Sequence, residues 1–374
     1  MPTIDRYILR LFLTNFIILL AVLLVLIVVV DLVATLDEFV QAAQNWADER
    51  GGIVWSFLYA IADYYGPLLL RIIVMVTGLV ATGAMGFTFF AMAKQRELVV
   101  VITSGVSLYR VAAPVLVAAA VLNVLVLPIQ EYVLPPLAPK LVRPKVDIKR
   151  TEPRTTAISY ARDSSHSLLS AGDFRPDLAS PKLSDVVILT RSDTGQAIRR
   201  ITAAEAVWEE QRHGWELING YAIRPTYDRD PLASPEPPKP QPVFFFATDL
   251  TPDVLRARRD AAYPQLLGIK GLLDLARNQA ADSRLITHIM HSRVSSIAVN
   301  MLILVMALRF VLVRLPTDLA ASALRASAVC IPAWGVGLLL TFYSIPWLNP
   351  AASAWLPVVV LLPLSAAMLA ALRS

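Results

Sequence analysis

KQRELVVVITSGVSLYR, Lys94 to Arg110, decides how the rest of the chain is read. It opens and closes on positive charge, yet charge-free apolar runs flank it at residues 72–93 and 111–130. A spanning helix needs about 20 predominantly apolar residues, so the stretch reads as the place where the chain turns round between two membrane crossings. Runs of the same kind occupy 11–30, 326–348 and 350–372, and another, 294–313, is interrupted only by Arg309. Six crossings follow, grouped three and three. Composition agrees: hydrophobic residues make up 56% of the 374 and charged residues 17%, where a soluble chain carries about a quarter charged. The net charge of +5 does not by itself suggest nucleic acid as a partner.

The first run is longer than the roughly 7–15 apolar residues of a signal peptide, and no small-x-small cleavage site follows it directly. It is expected to stay as an anchor. Cys330 is the single cysteine and falls inside the fifth run, so no internal disulfide can form.

Sidedness follows from lysine and arginine in the short loops. One side collects Arg6, Arg10, Lys94, Arg96, Arg110, Arg309, Arg314, Arg325 and Arg373. The other short loops, 31–54 and 349–351, hold Arg50 against Asp31, Asp37, Glu38, Asp48 and Glu49. Both termini and the Lys94–Arg110 stretch are therefore expected in the cytoplasm. The segment 135–293 then lies outside, where its length exempts it from the charge rule.

Past Pro135 the composition changes. TTAISYA, HSLLSA, LSDVVILTR, AIRRITAAEAVWEE, GWELINGYAI and PVFFFATDL read as short strands between turn residues. Many strands at this spacing suggest an all-β sandwich, barrel or jelly roll. PLASPEPPKPQP, 231–242, is too proline-rich for a strand and reads as an extended loop. From Pro264 to Arg293 the pattern is helical and leads back to the membrane. The expected plan is three spanning helices over 1–134 with a short cytoplasmic helix at about 94–105, a jelly-roll-like periplasmic domain over 135–290, and three more spans over 291–374.

Chemistry is sparse. His166, His213, His288 and His291 are the only histidines. His288 and His291 stand one helical turn apart, but no HExxH accompanies them, and polar residues at a span entrance are the plainer reading. No nucleophile elbow, triad-like motif or phosphate-binding GxxxxGK[ST] occurs. Neither a catalytic residue nor a metal site is expected, and any driven work needs an energy source outside this chain.

Three readings of residues 94–110 compete. A strand suits the β-branched run but has no neighbour to pair with, and a plain loop would leave apolar side chains in water. A short helix on the membrane surface resolves both. Arg96 and Glu97 then fall in the first turn, where the helix dipole favours a carboxylate. Leu98, Val101 and Ile102 share one apolar face, and Ser104 and Gly105 end the helix. Such a helix offers a charged anchor and an apolar ridge to a partner groove, or serves only as a structural re-entry turn.

RELVVVITSGVS at this place resembles the segment between the second and third spans of the LptF/LptG lipopolysaccharide-export permeases. IDRYILR at 4–10 is similar to that family's opening, and EYVLPP at 131–136 to its exit from span three. WELINGY at 215–221 and TDLTPDVL at 248–255 are similar to stretches of its outer domain. The resemblance runs over nearly the whole chain. It implies a multi-pass permease subunit in the inner membrane of a Gram-negative-type bacterium. It also implies an LptB-like cytoplasmic ATPase dimer that binds ATP and Mg, an LptF-like paralogous permease subunit and an LptC/LptA-like periplasmic bridge. Lipopolysaccharide is the cargo, entering between the first and fifth spans and leaving through the outer domain. By the same resemblance Glu97 matches the acidic residue that docks the ATPase, with Arg96, Leu98, Val101, Ile102 and Gly105 around it. IDRYI, DLVATLDEF and TDLTPDVL lean toward LptG over LptF.

One departure stands out. Relatives carry basic residues near the outer end of span one, where lipid phosphates are met, whereas here that region offers Asp31, Asp37 and Glu38. Arg71 is a candidate replacement, with simple snorkelling to the interface as the alternative. The competing function is a membrane scaffold or receptor that anchors a β domain and moves nothing.

Overall fold

The computed structural model describes residues 3–46, 52–141, 156–163, 165, 167–175, 180–191, 197–223, 240–259, 263–277, 283–312 and 319–370. Six helical stretches among them are long and apolar enough to cross a membrane. The chain opens with α1 (Thr3–Ala34), a short α2 (Leu36–Trp46) and the long α3 (Ile53–Lys94). After α4 (Glu97–Thr103) comes α5 (Leu108–Pro128), which continues through a π-helical turn (Ile129–Val133) into α6 (Leu134–Leu141). The strands β1 (Thr156–Arg162), β2 (Leu168–Arg175), β3 (Lys182–Arg191), β4 (Ala197–Glu209), β5 (Gly214–Ile218), β6 (Tyr221–Ile223), β7 (Gln241–Pro242) and β8 (Phe245–Ala247) follow. The chain then returns through α7 (Pro252–Arg259), α8 (Tyr263–Leu266) and α9 (Ile269–Arg277) to the last three spans. These are α10 (Ser283–Val311), α11 (Leu319–Phe342) and α12 (Pro350–Ala370). The protein is a helical membrane bundle with an inserted antiparallel β domain.

It divides into two compact units. The first holds Met1–Leu36, Ala62–Leu137 and Thr287–Ser374, and the second holds Asp37–Ile61 and Ala138–Ile286.

The first unit is the bundle. Ile8 and Phe12 of α1, Ala81, Ala84, Met85 and Phe89 of α3, Val115 and Ala119 of α5, and Leu304 and Met306 of α10 are buried in one cluster. Lipid tails are as apolar as leucine, so spanning helices associate through close packing of small residues and hydrogen bonds between helices. Both devices occur here. The Asn300 amide of α10 donates to the Asn123 side-chain oxygen of α5 at 2.8 Å, and a Cβ at Gly78 of α3 would run into Asn300. Asn15 of α1 donates to the Thr88 hydroxyl of α3 at 3.0 Å. A charged pair joins α10 to the continuation of α5, Glu131 of the π turn with Arg293 of α10, 3.6 Å apart.

The second unit carries the sheet. From β1 to β5 each strand pairs antiparallel with the next, and β8 closes on β5. The long β4 pairs β5 through Glu205–Glu209 and β6 through Arg200–Thr202. The run GWELINGYAI, read as one strand from sequence, breaks because Asn219 takes φ +54. A side chain at the following Gly220 would collide with the Val243 carbonyl, so the close approach of the neighbouring backbone requires glycine there. Trp215 is fully buried and its indole N–H donates to the Leu250 carbonyl at 3.0 Å. Asp163 is buried with its carboxylate accepting from the Ser165 hydroxyl, the Ser167 backbone N–H and the Thr248 hydroxyl. Burial, helped by the adjoining Asp253 charge, pushes the Tyr263 phenol above its ordinary range. Most of the proline-rich stretch, 231–239, lies outside the described residues, and its last two residues form β7.

Two features were not foreseen. The segment after α1, read as a short loop, holds α2, whose Phe39, Ala42 and Ala43 are buried. The second span also begins much earlier than expected, because α3 runs for 42 residues, about 63 Å at 1.5 Å per residue.

Candidate functional site

Residues 94–110 form a small ledge on the bundle. Lys94 ends α3, Arg96 adopts φ +61, and the seven-residue α4 begins at Glu97. A non-glycine residue in the left-handed region is uncommon, and here it lets the chain reverse sharply between two helices. At the far end Thr103 closes α4, the Ser104 hydroxyl donates to the Val101 carbonyl at 2.7 Å, and Gly105 takes φ +83. Ser107 then caps α5, its side-chain oxygen accepting from the Arg110 backbone N–H. Two left-handed positions thus bracket the ledge and fix its direction.

The placement of the expected docking residues differs from the sequence reading in one respect. Leu98 is 2% exposed and belongs to the bundle core, with Val101 packed against the same core. Two of the three residues of the expected apolar ridge, Leu98 and Val101, thus face the protein's own helices. A seven-residue helix beside a bundle must first satisfy that bundle, so its most apolar face turns inward. Val99 and Val100 are the apolar residues left on the surface, 40% and 66% exposed. Arg96 is exposed and Glu97 half-buried. Ile102 lies within α4, and its side chain is outside the described residues.

Glu97 has a partner that sequence reasoning missed. The Tyr7 hydroxyl lies 3.1 Å and 3.0 Å from its two carboxylate oxygens and donates its proton between them. The residues stand 90 positions apart; the only trace in the sequence was that IDRYI and RELVV both belong to recognisable motifs.

A second feature lies within the bundle. An apolar hollow of about 370 Å³ opens between α1, α3, α10 and α11. Leu19 and Leu23 line it from α1, Gly83 and Phe87 from α3, and Ala326 and Cys330 from α11. Small residues on α3 and α11 leave the space, and its walls suit an alkyl chain far better than a polar headgroup. Arg71 is half-buried on α3, outside this lining.

His288 and His291 have separate partners. His288 Nδ1 lies 3.3 Å from the Pro350 carbonyl, whereas His291 Nδ1 accepts from the Trp355 indole at 3.3 Å. Among the described residues no three histidine, cysteine, aspartate or glutamate side chains gather as a metal site would require.

Comparison with individual curated proteins gives no match. The model of the family described as lipopolysaccharide export system permease LptF/LptG matches residues 6–371, nearly the whole chain. That model covers both permeases together and does not separate LptG from LptF. With six spanning helices, an inserted antiparallel sheet and this end-to-end match, the chain belongs to the LptF/LptG family of lipopolysaccharide-export permeases.

Proposed function

We propose that this permease is the membrane subunit of an ABC-type exporter whose energy comes from a separate cytoplasmic ATPase. The observation that carries the reading is the ledge itself. Its buried Leu98 fastens it to the bundle, while Arg96, Val99, Val100 and the Glu97 carboxylate remain toward the surface. A rigid helix presenting one acid and a small apolar patch fits a groove with a complementary cation. The chain has no phosphate-binding loop of its own, so ATP and Mg belong to the partner. The arginine-rich ends of the spans face the cytoplasm on this reading, which puts the ledge where an ATPase dimer can reach it.

Lipopolysaccharide is drawn from the inner membrane with acyl chain against the apolar hollow. A paralogous permease subunit completes the path, and the β domain hands the lipid to a periplasmic bridge of similar sheets through an open strand edge. Arg71 supplies positive charge toward the lipid phosphates.

Charge reversal at the ledge tests this. The ATPase that purifies with the wild-type permease from native membranes should be lost from Glu97→Lys, while the thermal transition of the permease stays in place. An ATPase that remains bound after the reversal removes Glu97 from the docking role.

A further inference from the structure

Tyr7 and Glu97 join two elements that the chain keeps far apart. Tyr7 lies in the second turn of α1, and Glu97 opens α4. Ile8 and Phe12 of α1 and Leu98 of α4 also belong to one buried cluster of the bundle. The ledge is therefore tied directly to the first spanning helix by a hydrogen bond to a charged group, and both elements are seated in the same apolar core. The same helix, about 18 Å further along at 1.5 Å per residue, supplies Leu19 and Leu23 to the wall of the hollow. Elsewhere α1 is sparsely held, with 6% of its most apolar window buried. Asn15 donates to Thr88 at 3.0 Å and Asp31 accepts from Tyr65 at 2.9 Å further along, and a helix pinned at so few points moves as a rod when one end is pushed.

We propose that Tyr7 is a positioning residue: its hydroxyl fixes the Glu97 carboxylate and locks the ledge to α1, so that a push on the ledge reaches the wall of the hollow through α1. The role rests on the ATPase-docking reading of the ledge. It adds a route that this reading leaves open, since α3 and α5 also adjoin α4 in the chain.

Tyr7→Phe keeps the ring and removes the hydroxyl. In the complex purified from native membranes and placed in vesicles of phospholipid and lipopolysaccharide, the ATPase should stay bound with its KM for ATP unchanged. Lipopolysaccharide extracted per ATP hydrolysed should fall by about three- to tenfold, the net scale of one ordinary hydrogen bond, since this one is exposed to solvent. In a Glu97→Gln background the same substitution should change the amide exchange of residues 97–101 no further, as expected of two residues acting through one contact. Amide exchange of residues 97–101, measured on the permease without the ATPase, should quicken in Tyr7→Phe. Unchanged exchange, an unchanged ratio of lipid to ATP, or additive effects of the two substitutions on exchange would each overturn the proposal. An ATPase still bound to Glu97→Lys sinks the docking reading separately, while the exchange comparison still decides whether Tyr7 fixes the ledge.

Discussion

Spans two and four, in α3 and α10, each bury 44% of their most apolar window inside the chain, whereas span one in α1 buries 6% and span five in α11 buries 11%. The contrast runs against apolarity, for the window of span one is the most apolar of the six. In water the most apolar helix would be the innermost. In a bilayer the lipid solvates leucine and valine as well as a protein core does, so small and hydrogen-bonding residues decide which helix goes inside. Span two shows this with Thr77, Gly78, Ala81, Thr82, Ala84 and Thr88, of which Ala81, Ala84 and Thr88 are wholly buried. Span one presents Ile17, Ile18, Val22, Val25 and Leu26 outward instead. The two thinly covered spans are also the two that wall the hollow together with α3 and α10. The bundle thus has a fixed interior and two helices with room to shift.

Three experiments would break or sharpen that division. The largest effect is expected at Gly78, where a side chain would meet the Asn300 amide. Gly78→Val should cost about 1–3 kcal/mol by overpacking and lower the thermal midpoint in detergent. Gly335→Val in span five, where a Cβ meets nothing within 4 Å, should leave the midpoint near wild type. Equal losses would erase the distinction between the spans. Next comes Ala326→Phe, which fills part of the hollow from α11. Lipopolysaccharide extraction should fall several-fold with no matching loss of stability, and unchanged extraction would exclude the hollow from the lipid path. The smallest effect is Asn300→Ala, which removes the 2.8 Å tie to Asn123. Hydrogen bonds between spanning helices average about 0.6 kcal/mol, so the midpoint should drop only slightly. A drop as large as that of Gly78→Val would mean that polar pairing, rather than close packing, organises the interior.

The membrane plan was legible in the sequence because charge-free runs of 20 residues allow few alternatives. The sheet was legible as well: LSDVVILTR became β3 and AIRRITAAEAVWEE became β4, at nearly the expected limits. The ledge was readable as a helix, but its orientation was not. Leu98 and Val101 fall on one face by spacing, and spacing cannot say whether that face meets a partner or the protein itself. The Tyr7–Glu97 contact was hidden because a hydrogen bond across 90 residues depends on how α1 docks. The helix α2 was missed since Asp37, Glu38 and Gln41 broke up its apolar residues in a region read only for charge. The hollow was invisible because it is made of what small residues on separate helices leave unfilled.

The π turn at Ile129–Val133 carries one more consequence. Such a turn holds one residue more than the α-helix around it would accept. Deleting a single residue there would restore regular winding and leave the later side chains on nearly the bearing they have now, because the wide turn takes up its extra residue locally. The change would be felt inside the turn itself, where Glu131 now stands 3.6 Å from Arg293. A surplus amino acid is thus carried as a local swelling beside an ion pair, one that the winding on either side of it does not register.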